Sequence, residues 1–350
     1  MKTGFLLENN PNVVDLLYLA YKNIEKPKQK VKQTIMLIIR EYTKHSKQNY
    51  ILQTLQPAVG TIGVFDGMHR GHRFLLDQVK EEATRRGCLS MVVTFAEHPR
   101  SVVETDYRPL LLTTLDEKLE LIEAAGIDVC VVLNFSPLMA MRTSREFMEL
   151  YLRDKMGVTC LVIGYDHHFG SDVQNGFQQY KLYGKELGID VVRAKEFEGR
   201  DLHVSSSAVR RFLEGGNVDM ARACLGRSYS LSGRVVEGHR VGRELGFPTA
   251  NIEVDNPNKL LPARGAYAVY VYWDGEQHKG MLNIGSRPTL NNGEDTTVEV
   301  NIFDYDGDLY DKYLTVSFES RLRNEQKFDS LNELKLQLQQ DAEAAKEILK

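Results

Sequence analysis

The sequence predicts an α/β chain of two domains, a doubly wound parallel sheet followed by a small antiparallel barrel. Three observations predict this fold. Strand-like and helical segments alternate from Pro57 onward, the pattern changes to short β runs after Gly215-Gly216, and one helical segment ends the chain. Strand-helix alternation is typical of a parallel sheet, and closely spaced short strands are typical of a barrel. A chain of 350 residues is long enough to bury two cores.

In the first half, apolar runs and amphipathic segments follow one another. The predicted strands are Ala58–Phe65, Ser90–Phe95, Asp128–Asn134, Thr159–Ile163 and Ile189–Ala194. The predicted helices are Arg73–Arg86, Leu115–Ala125, Arg145–Met156 and Gly176–Leu187. Thr114 and Thr143 each precede a glutamate by three residues, which is the spacing of a capping box at a helix start. Ligands of such sheets bind at the carboxyl ends of the strands, so we expect the first site there.

In the second half, turn signals separate short β runs. These runs are Tyr229–Val236, Gly265–Trp273, Gly280–Ile284, Thr296–Phe303 and Tyr313–Phe318. Turns are predicted at Asp274-Gly275, Asn292-Gly293 and Asp306-Gly307. A last helix is predicted from Ser330 toward Lys350, covering one end of the barrel. We place the boundary between the domains near Leu225.

The composition excludes several classes of protein. A net charge of −4 gives no reason to expect nucleic acid or an anionic membrane as a partner. No apolar run approaches the roughly 20 residues that span a bilayer. The four cysteines are scattered without a Cys-x-x-Cys spacing, which fits a reduced cytoplasm. The sequence does not indicate an oligomeric state.

Residues 1–57 form a lysine-rich N-terminal extension, with helical periodicity over Val13–Ile24. We expect Met36 to be the physiological start and residues 1–35 to be upstream read-through. The alternative is a genuine appended helix with a regulatory or docking role. Mass spectrometry of the native N-terminus separates the two, because a peptide joining Lys30 to Met36 would exclude the internal start.

The most informative motif follows the first strand. The apolar run ends at Asp66-Gly67, and His69 and His72 then lie three residues apart, on one face of the first turn if a helix begins near His69. Unpaired backbone N–H groups and the positive end of the helix dipole favour phosphate at such a place. Gly71, which has no Cβ, lets a bulky anion approach the backbone. Taken alone, two surface histidines after a turn explain the pattern equally well.

A second phosphate motif is predicted at the start of a later helix. Ser205, Ser206 and Ser207 can donate to phosphate oxygens, and Arg210 offers a fork of donors to an anion. Taken alone, the serines would be an ordinary helix cap and Arg210 a solvated helix residue.

Both motifs resemble the FMN adenylyltransferase half of bifunctional FAD synthetases, within the nucleotidyltransferase superfamily. The resemblance is carried, in the order of that family, by Gly63–His72, Val93–Arg100, Val162–Gly170 and Val204–Arg210. Two departures stand out, Ala96-Glu97 and His167-His168. A metal site at the paired histidines is rejected, because no carboxylate or cysteine lies at ligand spacing.

The resemblance implies adenylyl transfer from ATP to FMN, whose phosphate is already anionic and needs no general base. It implies catalytic roles for His69, His72 and Arg210, with Arg210 donating to the departing pyrophosphate. The implied ATP and phosphate contacts are Gly63, Phe65, Gly71, Ser205, Ser206 and Ser207. The implied flavin contacts are Asp66, His98, Asp166 and Phe169.

The second half resembles riboflavin kinases. The run Gly233–Asn251 carries the resemblance, with Leu282–Thr289 and Asp304–Tyr310 matching later segments, and the chain has no P-loop. The implied phosphate-binding residues are Gly238, Arg240, Gly242, Arg243, Gly246 and Pro248.

Three polar side chains complete the predicted kinase site. Thr249 and Asn251 point to one side of an extended segment, and two hard oxygens there suit Mg²⁺ shared with ATP. Glu299 falls at the position of the family's catalytic carboxylate, where it would accept the proton of a ribityl hydroxyl. Taken alone, Glu299 would be a solvent-facing strand carboxylate, and Thr249 with Asn251 a turn-stabilising pair.

These resemblances predict two-step FAD synthesis. Riboflavin and ATP give FMN, and FMN with a second ATP gives FAD and pyrophosphate, with Mg²⁺ as cofactor and small molecules as the only partners. The predicted adenylyltransferase domain is 58–224 and the riboflavin kinase domain is 225–350. The alternatives are a chain that keeps only the kinase, and a non-catalytic flavin-binding regulator.

Overall fold

The computed structural model describes residues 36–40, 57–104, 106, 110–172, 174, 176–199, 202–238, 242, 245–288 and 294–350. The predictions for residues 1–35, including the helix Val13–Ile24, lie outside these described residues. The chain divides into two compact units. The first contains the described residues up to Phe65, with Arg73–Tyr107 and Leu115–Glu196, and the second contains Asp66–His72, Arg108–Thr114 and Phe197–Lys350.

The first unit is built on a six-stranded parallel sheet in the order β1-β4-β3-β2-β5-β6. Its strands are Leu37–Arg40 (β1), Ala58–Ile62 (β2), Leu89–Phe95 (β3), Val129–Leu133 (β4), Val158–Ile163 (β5) and Asp190–Arg193 (β6). Its helices are Arg70–Arg86 (α1, whose first turn belongs to the second unit), Pro99–Val103 (α2), Leu115–Ala124 (α3), Pro137–Ala140 (α4), Ser144–Phe147 (α5) and Phe177–Leu187 (α6). The doubly wound α/β prediction is confirmed.

Both faces of this sheet are covered, which explains the continuous apolar runs of its strands. Every residue of β2 and of β4 is buried. Successive residues of a strand point to opposite faces, and Ala58 and Val59 accordingly belong to different core clusters.

Two details of the first unit differ from the sequence analysis. The strand β1 pairs in parallel with Val129–Val132, so the sheet begins inside the segment that we assigned to the N-terminal extension. An edge strand of four residues is too short to show a periodicity of its own. The predicted helix Arg145–Met156 is instead the short α5, capped by both bonds of a Thr143 capping box, followed by a π-helical turn over Met148–Arg153.

From Phe197 onward, the second unit consists of the helices Ser206–Glu214 (α7) and Val218–Leu225 (α8), a closed antiparallel barrel and a C-terminal helix. The barrel strands are Tyr229–Val236 (β7), Ala250–Val254 (β8), Gly265–Trp273 (β9), Glu276–Pro288 (β10), Glu294–Ile302 (β11) and Tyr313–Asn324 (β12). Around the barrel their order is β10-β11-β8-β7-β12-β9. The predicted barrel is confirmed, although β8 was recognised only as an extended segment.

The C-terminal helix, Leu331–Ile348 (α9), begins at the N-cap Ser330, whose side chain accepts a hydrogen bond from the Glu333 N–H. Ala345 of this helix packs with Ala268 and Met281 of the barrel wall. Within the described part of the chain, no helix is both long and apolar enough to cross a membrane.

Candidate active sites

The first candidate site centres on the histidine loop, Asp66–His72, which follows β2 and runs into α1. The backbone here is unusual, because Gly67 and Met68 of the loop, and Phe65 just before it, have φ values of 79°, 40° and 53°. A residue other than glycine in this region costs about 1–3 kcal/mol and persists only where its surroundings hold it. The loop therefore depends on contacts with the rest of its unit.

The two histidines of this loop are in direct contact. Their rings stack with centroids 3.6 Å apart and 17° between planes, and the His72 N–H donates to His69 Nδ1 over 3.2 Å. The helix α1 begins at Arg70, three residues before the predicted Arg73 and close to the start near His69 that the phosphate motif requires. A Cβ on Gly71 would lie 3.2 Å from the His69 ring, so glycine lets this ring lie tightly against the helix backbone.

Asp66 connects three segments of the second unit. Its carboxylate accepts hydrogen bonds from the Leu112 N–H (3.0 Å), the Thr113 N–H (3.0 Å) and the Thr113 hydroxyl (3.1 Å). It also forms an ion pair with Arg210. With 5% of the residue exposed and four protein donors around it, the carboxylate is engaged within the protein, and its predicted contact with the flavin stays a prediction.

The serines and Arg210 at the start of α7 lie beside this loop. Ser205 Oγ accepts from the Ala208 N–H over 3.2 Å, so it caps the helix. Ser206 Oγ donates to the Asp66 carbonyl over 2.9 Å. Ser207 is exposed. Arg210, which we predicted to bind pyrophosphate, is held by its ion pair and by donation from Nε to the Leu110 carbonyl over 2.8 Å.

Two further predicted nucleotide contacts lie at the end of β2, in the first unit. The Gly63 N–H donates to the Val93 carbonyl over 3.0 Å. A Cβ on Gly63 would lie 3.0 Å from the ring of Phe65, which is itself buried. The pair therefore packs together where the strand ends.

The predicted flavin contacts His98, Asp166 and Phe169 also lie in the first unit. His98 is the N-cap of α2, and its Nδ1 accepts from the Arg100 N–H over 3.2 Å. Asp166 is exposed. The Phe169 ring is a core residue that stacks on Tyr180 with centroids 4.7 Å apart, and its predicted contact with the flavin stays a prediction.

His167, one of the departures from the family pattern, has a strongly shifted pKa. Burial, and secondarily the nearby His168, lowers its pKa from 6.5 to about 4. Its Nε2 is buried and has no hydrogen-bond partner. The ring is therefore neutral at physiological pH.

The second candidate site lies on the wall of the barrel. Glu299 of β11 and Asn251 of β8 are paired residues on adjacent antiparallel strands. The Thr249 hydroxyl donates to Glu299 Oε2 over 3.4 Å. The neighbours of Glu299 along the strand, Val298 and Val300, point the other way into the barrel core. Strand geometry thus brings the three predicted polar residues together.

Glycines before β8 make room for these side chains. A Cβ on Gly238 would lie 1.9 Å from Asn251 Nδ2, and one on Gly242 would lie 2.4 Å from the Phe247 carbonyl oxygen. Gly246 has a φ of +85°. The Pro248 carbonyl accepts from Asn301 Nδ2 over 2.7 Å. Arg240 and Arg243, predicted to bind phosphate, lie outside the described residues.

The sequence analysis missed three residues that hold these sites. Asn301, which anchors Pro248, lies two positions after Glu299 on a strand of period two, and this spacing is the signal that could have identified it. Arg227 donates to the carbonyls of Gly67 and Met68, and Lys259 donates to that of Leu112. No local pattern marks these two cations, since their partners are backbone groups about 150 residues away.

Comparison with known proteins gives matches over most of the chain. The sequence model of a family described as FAD synthetase matches residues 51–208, and that of riboflavin kinase matches residues 225–349. The bifunctional riboflavin kinase/FMN adenylyltransferase of Escherichia coli (strain K12) is 38% identical over 82% of this chain and 91% of its own. The protein of the same name from Pseudomonas fluorescens is 37% identical over 84% of this chain and 95% of its own.

A solved structure is also similar. A crystal structure from Streptococcus pneumoniae, described as a macrolide-efflux protein, matches with a TM-score of 0.80 and 30% identity, covering 89% of this chain and 99% of that one. The efflux description applies to that protein, and the likeness here is one of fold. The two family matches and the identity to the curated relatives lead to one conclusion: this chain belongs to the bifunctional riboflavin kinase/FMN adenylyltransferase family.

Proposed function

We propose that the two reactions of this family are divided between the two sites described above. Riboflavin is phosphorylated at the barrel site, around Glu299, and the resulting FMN is adenylylated at the histidine loop. The proposed division follows the predicted domains, 58–224 and 225–350.

The adenylyl site rests on one observation, the direct contact between the two phosphate motifs. Ser206 and Arg210 of α7 both bind Asp66 of the histidine loop, 140 and 144 residues away in the chain. A Cβ on Gly71, in the first turn of α1, would lie 4.0 Å from the Val204 carbonyl just before α7. This contact supports two neighbouring helix starts, a favourable place for a triphosphate.

The chemistry at this site needs orientation and charge stabilisation. An FMN phosphate oxygen attacks the α-phosphorus of ATP, and pyrophosphate leaves with the electron pair of the broken bond. His69 and His72 are proposed to donate to the phosphate oxygens, where charge develops in the transition state. Asp66 and the Leu110 carbonyl hold Arg210 in place, and from there its guanidinium is proposed to donate to the leaving pyrophosphate. Ser207, the exposed serine of the same motif, is a further proposed phosphate contact.

At the barrel site, riboflavin's ribityl hydroxyl attacks the γ-phosphorus of ATP and ADP leaves. Unlike a phosphate, a hydroxyl must lose a proton, and Glu299 is proposed to accept it. The Thr249 hydroxyl, 3.4 Å from Glu299 Oε2, orients that carboxylate. Gly238, Gly242, Gly246 and Pro248 are the proposed phosphate contacts here.

Magnesium fits the donors at the barrel site. Thr249 Oγ1 and the Asn251 amide oxygen are hard ligands of the type that Mg²⁺ prefers, and the missing Cβ of Gly238 leaves room for the Asn251 amide. When bound, the ion supplies positive charge to the ATP phosphates.

The test is to supply each substrate separately and to separate the flavins by chromatography. With ATP and Mg²⁺, riboflavin should yield FMN and then FAD, and supplied FMN should yield FAD and pyrophosphate. Removal of Mg²⁺ should stop riboflavin phosphorylation. Accumulation of FMN without FAD would favour the kinase-only alternative, and absence of both products would favour a flavin-binding regulator.

We also propose a cytoplasmic location, because the scattered cysteines fit a reduced compartment.

A further inference from the structure

Three consecutive carbonyl groups of the histidine loop are held by side chains. Ser206 Oγ donates to the Asp66 carbonyl, and Arg227 donates to the Gly67 carbonyl (Nη2, 3.0 Å) and the Met68 carbonyl (Nη1, 3.4 Å). Gly67 and Met68 are residues with positive φ. Since a residue other than glycine, such as Met68, keeps positive φ only where its surroundings hold it, these donors set the direction in which the chain enters His69.

Arg227 comes from the start of the barrel sequence. The helix α8 ends at Leu225, Gly226 turns the chain with a φ of 74°, and β7 begins at Tyr229. The half-buried guanidinium is a rigid planar fork that can reach two neighbouring carbonyls at once. Accordingly, Nη2 of Arg227 donates to the Gly67 carbonyl and Nη1 donates to the Met68 carbonyl.

Lys259 holds the same network from the other side. This lysine is 4% exposed, and its Nζ donates to the Leu112 carbonyl over 2.9 Å and lies 4.9 Å from the centre of the Tyr229 ring. The Leu112 N–H in turn donates to Asp66, and Asp66 pairs with Arg210. A buried ammonium is costly unless it is partnered, so its contacts fix the Leu112 backbone firmly.

Backbone pairing strengthens this second connection. The Leu111 N–H donates to the Asn258 carbonyl over 2.7 Å, and the Leu260 N–H donates to the Leu111 carbonyl over 2.9 Å. Lys259 and its neighbours therefore hold the segment 110–113 by main chain and side chain together. This segment in turn supplies three of the four donors on Asp66.

We propose that Arg227 and Lys259 are positioning residues for adenylyl transfer, supplied by the part of the chain that matches riboflavin kinases. They act through Gly67, Met68 and Leu112 and do not touch the substrate. The inference rests on the proposed placement of adenylyl transfer at the histidine loop. Its consequence is one-way dependence, because FAD formation needs these two barrel residues while riboflavin phosphorylation does not.

The experiment uses the full chain with Arg227→Met. We expect kcat for FAD formation from supplied FMN to fall about 10- to 100-fold, the range that a misplaced reacting group costs, with a much smaller change in the KM for FMN. Riboflavin phosphorylation by the same protein should be unchanged, which also reports that the barrel is folded. Arg227→Lys should recover part of the loss, because an ammonium can reach one of the two carbonyls.

The matched control is Arg234→Met, on β7. Its side chain is 61% exposed and its ion pair with Asp311 is long, at 3.9 Å, so both activities should stay at the unmutated level. Lys259→Met is the second variant and should also lower FAD formation selectively.

Two outcomes would overturn the proposal. One is full FAD formation by folded Arg227→Met and Lys259→Met proteins, and the other is an equal loss of both activities in each. If adenylyl transfer does not take place at the histidine loop, the His72→Ala protein should still make FAD. That result would contradict the proposed function and is distinct from the two outcomes above.

Discussion

At the barrel site, Glu299 and Asn251 are paired on adjacent strands. At the histidine loop, by contrast, Asp66 forms an ion pair with Arg210, which lies 144 residues further along the chain. The first site follows from strand register, which aligns side chains of period two without special backbone geometry. The second requires left-handed backbone at Phe65 and Met68 and a set of long-range donors. The barrel site should therefore respond mainly to changes at the residues themselves, and the histidine loop also to changes far from it in the chain.

The sharpest test of this contrast is Glu299→Gln. The amide keeps the shape of the side chain but cannot accept the hydroxyl proton, so FMN formation should fall by about two to four orders of magnitude. FAD formation from supplied FMN should continue at the unmutated rate. Chromatography of flavins from separate riboflavin and FMN reactions measures both, and loss of both activities would contradict the two-site division.

The complementary variant is His72→Ala. Removing one donor to the developing phosphate charge should lower FAD formation by about two orders of magnitude or more. Riboflavin phosphorylation should persist, so FMN should accumulate in a reaction started from riboflavin. Undiminished FAD synthesis by this protein would remove His72 from the proposed mechanism.

Gly238→Ala tests whether room for the Asn251 amide matters to the kinase. The new Cβ would lie 1.9 Å from Asn251 Nδ2, the end of a flexible side chain, so the amide should move while the fold remains. We expect riboflavin phosphorylation to fall about 10-fold through the displaced group, with FAD formation from FMN unaffected.

The control for this change is Gly176→Ala, where a Cβ would meet no atom within 4 Å. Both activities should be normal in that protein. An equally active Gly238→Ala protein would show that the position of Asn251 is unimportant for the reaction.

The smallest expected effect is on the pH dependence of stability, at His167. Its pKa is about 4 in the folded chain against 6.5 ordinarily, so between these values the unfolded state binds more protons. The free energy of unfolding therefore decreases as pH falls through that window.

His167→Phe should make the melting temperature less sensitive to pH between about 7.5 and 5. The comparison variant is His168→Phe, which removes only the smaller contribution to that shift and should therefore change the slope less than His167→Phe does. Circular dichroism at several pH values measures both, and an unchanged slope in His167→Phe would exclude His167 as its source.

Much of the molecule could be predicted from the sequence because the signals are local. Continuous apolar runs predicted the buried parallel strands, and alternation in Val298–Ile302 placed Glu299 on the outer face of the barrel. The short edge strand β1 and the strand β8 were not predicted as strands, because four or five residues show too little periodicity to identify one.

The sequence by itself determined the two fold classes, the family resemblance and the residues that face one another through strand register, since these depend on spacing along the chain. Only the tertiary structure decided that Asp66 is surrounded by protein donors, that Phe169 lies in the core, and that Arg227 holds the histidine loop while Lys259 holds the segment 110–113. The physical reason is that a backbone carbonyl looks the same at every position of a sequence. Which side chain donates a hydrogen bond to a given carbonyl is decided only when the chain folds and brings distant segments together.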